Sequence, residues 1–185
     1  GKYVAKKAFK AAGPSRHVEN CLEVVEADGH ILDVIIVDSD TGEALGRPYA
    51  TVLLDVKSRC IIAFFISMIP FSTATLLSAI SMAVSGNNGR PGGLFDTLVV
   101  DNGSDYISNS VRNLCNTVGI VIEHGQPRDG NAKPHVERLF KTLNMQISHN
   151  IPGTTFSNPI DRGDYDSKKY SCITKEKLYE VTNSW

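Results

Sequence analysis

Four apolar, β-branched runs stand one after another near the start of this chain, and only after them does the apolar spacing become helical. Cys21 to Ala27, Ile31 to Val37, Tyr49 to Val56 and Cys60 to Ser67 are rich in Val, Ile and Leu, the composition of strands. The turn-like Lys57-Ser58-Arg59 between the last two predicts an antiparallel hairpin. The first two read as a strand followed by its continuation or by a second strand. Ser72 then caps a helix carried by Leu76, Leu77, Ile80, Ala83 and Val84 and ended at Gly86-Asn87-Asn88-Gly89. Thr97 to Val100 is a short strand ending at Asp101. Val111, Leu114, Cys115 and Val118 mark a helix stopped by Gly119, and Ile120 to Glu123 is another strand.

A polar loop from Gly125 to Gly130 precedes the last core helix, whose stripe is Val136, Leu139, Phe140, Leu143 and Ile147. Pro134 belongs in its first turn, with Asn131 as the cap. Strands first and alternating helix and strand afterwards predict an α/β fold, a mixed sheet flanked by helices on both faces. We expect three segments: a basic linker or arm over 1–20, a core over 21–150, and a C-terminal extension over 151–185 leading to a further domain. In that extension, 151–166 reads as loop and Ile173 to Val181 as helix.

Charge and cysteine usage bound the class. The net charge is −1 and the pI near 6.6, which is not the strongly basic balance common in nucleic-acid-binding domains. Two local surpluses offset it. Residues 1–19 carry five basic groups against one acid, and residues 128–141 four against two. An acidic metal site also lowers the net charge of its own domain. Cys21, Cys60, Cys115 and Cys172 are scattered, so neither a zinc ribbon nor a disulfide framework is expected. The longest apolar stretch, Cys60 to Ile69 with Ser67 inside it, is too short to span a bilayer. A soluble cytoplasmic protein with no membrane partner is the expectation.

Asp101 and Glu137 carry the chemistry, with 35 residues between them. One carboxylate ends an apolar strand and the other sits a turn into a helix, an arrangement that can hold divalent ions where a phosphodiester reacts. On a helical wheel with Glu137 at zero, the apolar positions cluster to one side. Lys133, Asn144 and Lys141 fall near Glu137, a polar stripe beside the core. The alternative for this helix is a solvated face of ordinary i, i+4 ion pairs.

An ordered set of motifs resembles the retroviral-integrase superfamily, in particular the cores of bacterial Mu-like transposases. It comprises Glu26-Ala27-Asp28-Gly29-His30, Leu32-Asp33, Gly46-Arg47-Pro48-Tyr49, Leu54-Asp55-Val56-Lys57-Ser58-Arg59, Asp101-Asn102-Gly103-Ser104, Pro127-Arg128, Lys133 and Val136-Glu137-Arg138-Leu139-Phe140. The similarity covers roughly residues 22–150. It implies a ribonuclease-H-like fold and a DDE triad on Asp28, Asp101 and Glu137 that is both catalytic and metal-binding. It also implies Mg²⁺, with Mn²⁺ able to substitute, as a pair of ions about 3.5–4 Å apart that clamp an in-line displacement. The implied partners are DNA, as transposon ends and target, an oligomer in the DNA complex, and accessory transposition proteins. Arg128, Lys133, Lys141 and Asn144 are the DNA-contact candidates.

The chain departs from the family pattern after the first aspartate, where Gly29-His30 replaces a small residue and threonine. Asp33, Asp38, Asp40 and Asp55 therefore compete with Asp28. Asp33 lies five residues on, on the opposite side of a straight strand by parity. Asp38 and Asp40 read as a polar turn, and Asp55 as part of the hairpin. The function expected is DNA cleavage at element ends and 3′-OH strand transfer. A ribonuclease-H-like nuclease without joining activity and a catalytically silent DNA-binding or assembly module are the alternatives.

Overall fold

The computed structural model describes residues 17–86, 91–101, 108–124 and 133–185. A five-stranded mixed sheet carries the molecule: β1 (Val24–Ile31), β4 (Tyr49–Asp55), β5 (Ile61–Ser67), β6 (Thr97–Val100) and β7 (Val121–His124), in the order β5-β4-β1-β6-β7. β1, β4 and β5 pair antiparallel, whereas β6 and β7 add parallel to β1. The hairpin predicted around Lys57-Ser58-Arg59 is β4-β5. Asp55 clamps its turn, accepting from the Ser58 amide at 2.8 Å and from the Leu22 amide at 2.9 Å.

Helices cover both faces. α1 (Thr73–Ser85) begins at a reciprocal Ser72–Thr75 capping box and ends at Gly86 in the left-handed region, as its sequence signals require. α2 (Asn109–Val118) ends at Gly119, again left-handed. Both pack with Val25, Ala27, Leu53, Leu98 and Val100 into one core. On the opposite face, α3 (Pro134–Gln146) sends Val136, Phe140 and Leu143 against Val52, Leu54 and Phe64. Strand order, mixed polarity and helices on both faces make this a ribonuclease-H-like fold.

Of the two readings of Ile31 to Val37, a continuation of β1 does not form; β1 ends at Ile31, and the second strand is the short β2 (Ile36–Val37), which belongs to a separate three-stranded sheet. That sheet is completed by β3 (Ala44–Gly46) and by β8 (Ile173–Thr174), which pairs parallel to β2. The segment after 151 is bonded to the chain that follows β1. The Thr155 amide donates to the Asp33 carbonyl at 2.8 Å and the Ile35 amide to that of Gly153 at 2.9 Å. A four-residue helix α4 (Pro159–Arg162) interrupts the stretch read as loop, and α5 (Lys175–Ser184) buries Leu178 beside Leu32, Val34 and Ile36. Each such fully buried aliphatic side chain contributes about 1.5–3 kcal/mol, which a local pattern of loop residues does not reveal. Of the predicted N-terminal arm, residues 1–16 lie outside the described residues, while Val18 is buried with Val24, Val56 and Val99.

Gly29 allows the close approach of the segment leading into α1. A Cβ there would lie 2.3 Å from the Cβ of Phe71, two atoms fixed by backbone and unable to swing apart. Gly29→Ala is therefore expected to destabilise the fold by about 2–3 kcal/mol. Thermal unfolding checks this, and an unchanged midpoint would refute the packing argument.

Candidate active site

Alternate residues of β1 point toward α3, and each of three successive rungs holds it. Glu26, buried at 4 % exposure, accepts from the His135 amide at 3.1 Å and the Val136 amide at 2.9 Å. These are first-turn donors of α3, whose N-cap residue is Lys133 and makes no side-chain cap; a lysine has no acceptor to offer. The predicted cap, Asn131, lies outside the described residues. Burial pushes the Glu26 carboxyl up, opposed by these two backbone bonds and by the charges of Arg59 and Lys133. Two residues on, Asp28 holds the Lys133 ammonium at 2.8 Å. Two further, His30 stacks on Phe140 with ring centroids 4.9 Å apart and meets Asn144 Nδ2 at 3.0 Å. Burial lowers the His30 pKa, Asp33 and Asp28 oppose that, and Arg47 adds to it.

Strand register brings Asp101 to Asp28. β1 and β6 pair Glu26 with Val99 in parallel, so two residues further along both strands stand Asp28 and Asp101. Lys133 bridges them: its ammonium is 3.2 Å from Asp101 Oδ2 and donates to the Ala27 carbonyl at 3.2 Å, with the side chain 2 % exposed. Glu137 stands at the exposed edge of the same site. Desolvation raises its pKa first, the Asp28 charge raises it further, Lys133 opposes, and Asp101 adds a smaller push. Asp28 and Asp101 thus meet on one ammonium, and Glu137 feels the charges of all three groups.

These residues fit a hard divalent cation in chemistry. Two carboxylates from adjacent strands converge on one positive charge, and their donors are oxygens, which suit Mg²⁺ or Mn²⁺. The positive charge on which Asp28 and Asp101 converge in this structure is the ammonium of Lys133. Among the described residues no three His, Cys, Asp or Glu side chains are drawn close enough to hold a metal ion.

An open groove runs from Asp28 and Glu137 past His30, Phe140, Lys141 and Asn144 to Arg47 and Ser157. The polar stripe of the helical wheel is therefore the wall of a groove at Glu137, Lys141 and Asn144. Lys133 departs from it, buried beneath the groove instead of facing it. Asn144 is 6 % exposed and spans the wall, also accepting from the Asp33 amide at 3.3 Å, so its first role is to tie α3 to the end of β1. Arg128 lies outside the described residues.

Three of the four competing acids have other partners. Asp33 takes the Arg47 guanidinium on one oxygen, and His149 Nε2 and Ser157 Oγ at 3.2 Å each on the other. Because the strand ends at Ile31, the parity argument fails and Asp33 lines the same groove, as an anchor for Arg47 and for the 149–157 segment. Asp38 accepts from Asp40 and Thr41 in its own turn, and Asp55 serves the hairpin. Glu26, Arg47 and the Asp33 cluster have no local sequence signal, since every partner is distant along the chain.

The 26–153 segment matches the family model described as TnsB C-terminal domain. The chain belongs to that family. It is 30% identical over 173 residues to the transposon Tn7 transposition protein TnsB of Escherichia coli, covering 85% of this chain and 24% of the relative. It is 25% identical over 154 residues to the transposase for transposon Tn552 of Staphylococcus aureus, covering 79% of this chain and 32% of that protein. The chain thus spans about a quarter to a third of the curated relatives it matches. In fold it resembles a chain of the simian T-cell lymphotropic virus intasome in complex with PP2A regulatory subunit B56 gamma, with a TM-score of 0.50 at 18% identity over 75% of this chain and 48% of that one. The family-model segment spans Asp28, Asp101 and Glu137 together with Glu26 and Lys133. No helix among the described residues is long and apolar enough to cross a membrane.

Proposed function

We propose that this TnsB C-terminal domain is a transposase catalytic core, carrying out metal-dependent DNA cleavage at element ends and 3′-OH strand transfer into target DNA. The observation that carries the reading is the convergence of Asp28 and Asp101 on one buried cation, with Glu137 within their field. Asp28, Asp101 and Glu137 would hold Mg²⁺ or Mn²⁺, as two ions. When bound, the metal would polarise a phosphoryl oxygen and favour an oxygen nucleophile.

The chain's own residues do the rest. Glu26 fixes the first turn of α3 and so the position of Glu137. Lys141 and Arg47 line the groove with positive charge where a phosphodiester backbone would lie, contacts that orient a strand without reading its sequence. His30 and Asn144 stiffen the wall between them. DNA as element ends and target, an oligomer around the DNA and accessory transposition proteins are the partners this reading implies. One observation favours the catalytically silent module: the protein's own lysine already neutralises two of the acids.

Calorimetric Mn²⁺ titration of the wild-type domain and of Asp101→Asn, alongside joining of a pre-nicked DNA end, tests the assignment. Metal binding and joining by the wild type, both lost in Asp101→Asn, are the expected result. Cleavage without joining would indicate a nuclease. A wild-type domain that neither binds Mn²⁺ nor acts on DNA would be the silent module.

A further inference from the structure

Lys133 occupies an oxygen-lined cation position built by the fold. Its ammonium has Asp28 Oδ1 at 2.8 Å, Asp101 Oδ2 at 3.2 Å and the Ala27 carbonyl at 3.2 Å, and the side chain is 2 % exposed. A charge that deeply buried is tolerated only when paired. The two carboxylates share that cation, and without it their like charges would repel. The backbone of Lys133 is held at the start of α3, whose next turn hangs from Glu26. Its four-carbon stem, however, lets the ammonium leave without moving the helix.

A divalent ion and an ammonium cannot share the same two carboxylates. We infer that Lys133 is the internal counter-cation of the Asp28–Asp101 pair, that a divalent ion must displace it to bind, and that the displaced ammonium takes a DNA phosphate in the groove as its new partner. The inference rests on the metal-site reading proposed above. In the metal-free protein Lys133 is a positioning residue that keeps the two acids together. On loading, its charge moves into the groove beside Lys141, where the sequence pattern had expected a phosphate contact. Metal and DNA then favour each other's binding, since the phosphate supplies the partner that the lysine loses.

The test is Mn²⁺ calorimetry on the wild type and on Lys133→Met, each with and without a short DNA duplex, together with thermal unfolding in EDTA of both proteins, of Asp101→Asn and of the double variant. Lys133→Gln, which retains a donor for the Ala27 carbonyl, replaces the methionine variant if that one does not fold. Without DNA, Lys133→Met is expected to bind Mn²⁺ on the order of tenfold more tightly than the wild type. DNA should tighten Mn²⁺ binding in the wild type and much less in the variant. In EDTA, the losses from Lys133→Met and Asp101→Asn should be non-additive, because each removes the same contact.

Equal or weaker Mn²⁺ binding by Lys133→Met, with the wild type still binding, would overturn displacement and leave the metal site standing. Additive losses in EDTA would overturn the counter-cation role. Failure of both proteins to bind Mn²⁺ would remove the metal-site reading, and the displacement with it.

Discussion

Glu137→Gln is expected to lower DNA joining at least a hundredfold while making the metal-free domain more stable. A lost outer partner of a metal ligand already costs about 10–100-fold, so loss of a proposed ligand should cost no less. The stability effect has the opposite sign because Glu137 is charged at its own cost in the metal-free protein. Desolvation and the negative charges of Asp28 and Asp101 raise its carboxyl above the ordinary value, and Lys133 only partly opposes them. A carboxyl with a raised folded-state pKa binds its proton more readily in the folded state than in the unfolded one. Its contribution to stability is therefore complete in acid and falls as the pH rises through the raised value. In EDTA, wild-type unfolding temperatures should drop relative to those of Glu137→Gln as the pH climbs above the ordinary carboxylate range. Wild-type joining by Glu137→Gln would remove this residue from the site, and a pH-independent gap would remove the charge-repulsion account.

Glu26→Ala is expected to lose about 2–3 kcal/mol, because two first-turn amides of α3 lose their acceptor and the N-cap residue cannot replace it. For a domain of this size that is roughly a 5–10 °C fall in melting temperature. Glu26→Gln distinguishes the hydrogen bonds from the charge. Its amide oxygen can still accept, and neutrality suits a buried position where burial already raises the carboxyl, so it should stay close to wild type. Equal losses in the two variants would show that the charge, through the helix dipole or Lys133, outweighs the cap. Joining should fall in Glu26→Ala and survive in Glu26→Gln, since the helix that aims Glu137 hangs from this contact.

Elements with signals at both ends were legible before the fold was known. α1 lies between Ser72 and Gly86, α2 stops at Gly119, and the hairpin turns at Lys57-Ser58-Arg59, because caps and turns are local chemistry. The start of α3 was legible at Pro134, but its capping was not, since the first-turn acceptor is a glutamate 109 and 110 residues from the amides it serves. The same holds for β2 and β8, two residues each. Such short strands are extended because they pair with one another, and no two-residue pattern announces that. Asp33 was misjudged for a related reason: parity holds only while a strand continues, and β1 ends at Ile31.

Residue identity and local spacing alone were enough to mark Asp101 at a strand end, Glu137 beside an apolar helical stripe, and the mixed α/β order of elements, because these depend on side-chain type and on the periods of helix and strand. They left Asp28 in competition with four other aspartates. Only tertiary structure sets Asp28 apart in geometry: parallel pairing of β1 with β6 puts it beside Asp101, while the carboxylates of Asp33, Asp38 and Asp55 pair with other groups. Tertiary structure also turned Lys133 from an expected groove contact into a buried bridge. An ammonium takes the strongest field within reach of its stem, and two carboxylates on neighbouring strands create that field only once the sheet has formed.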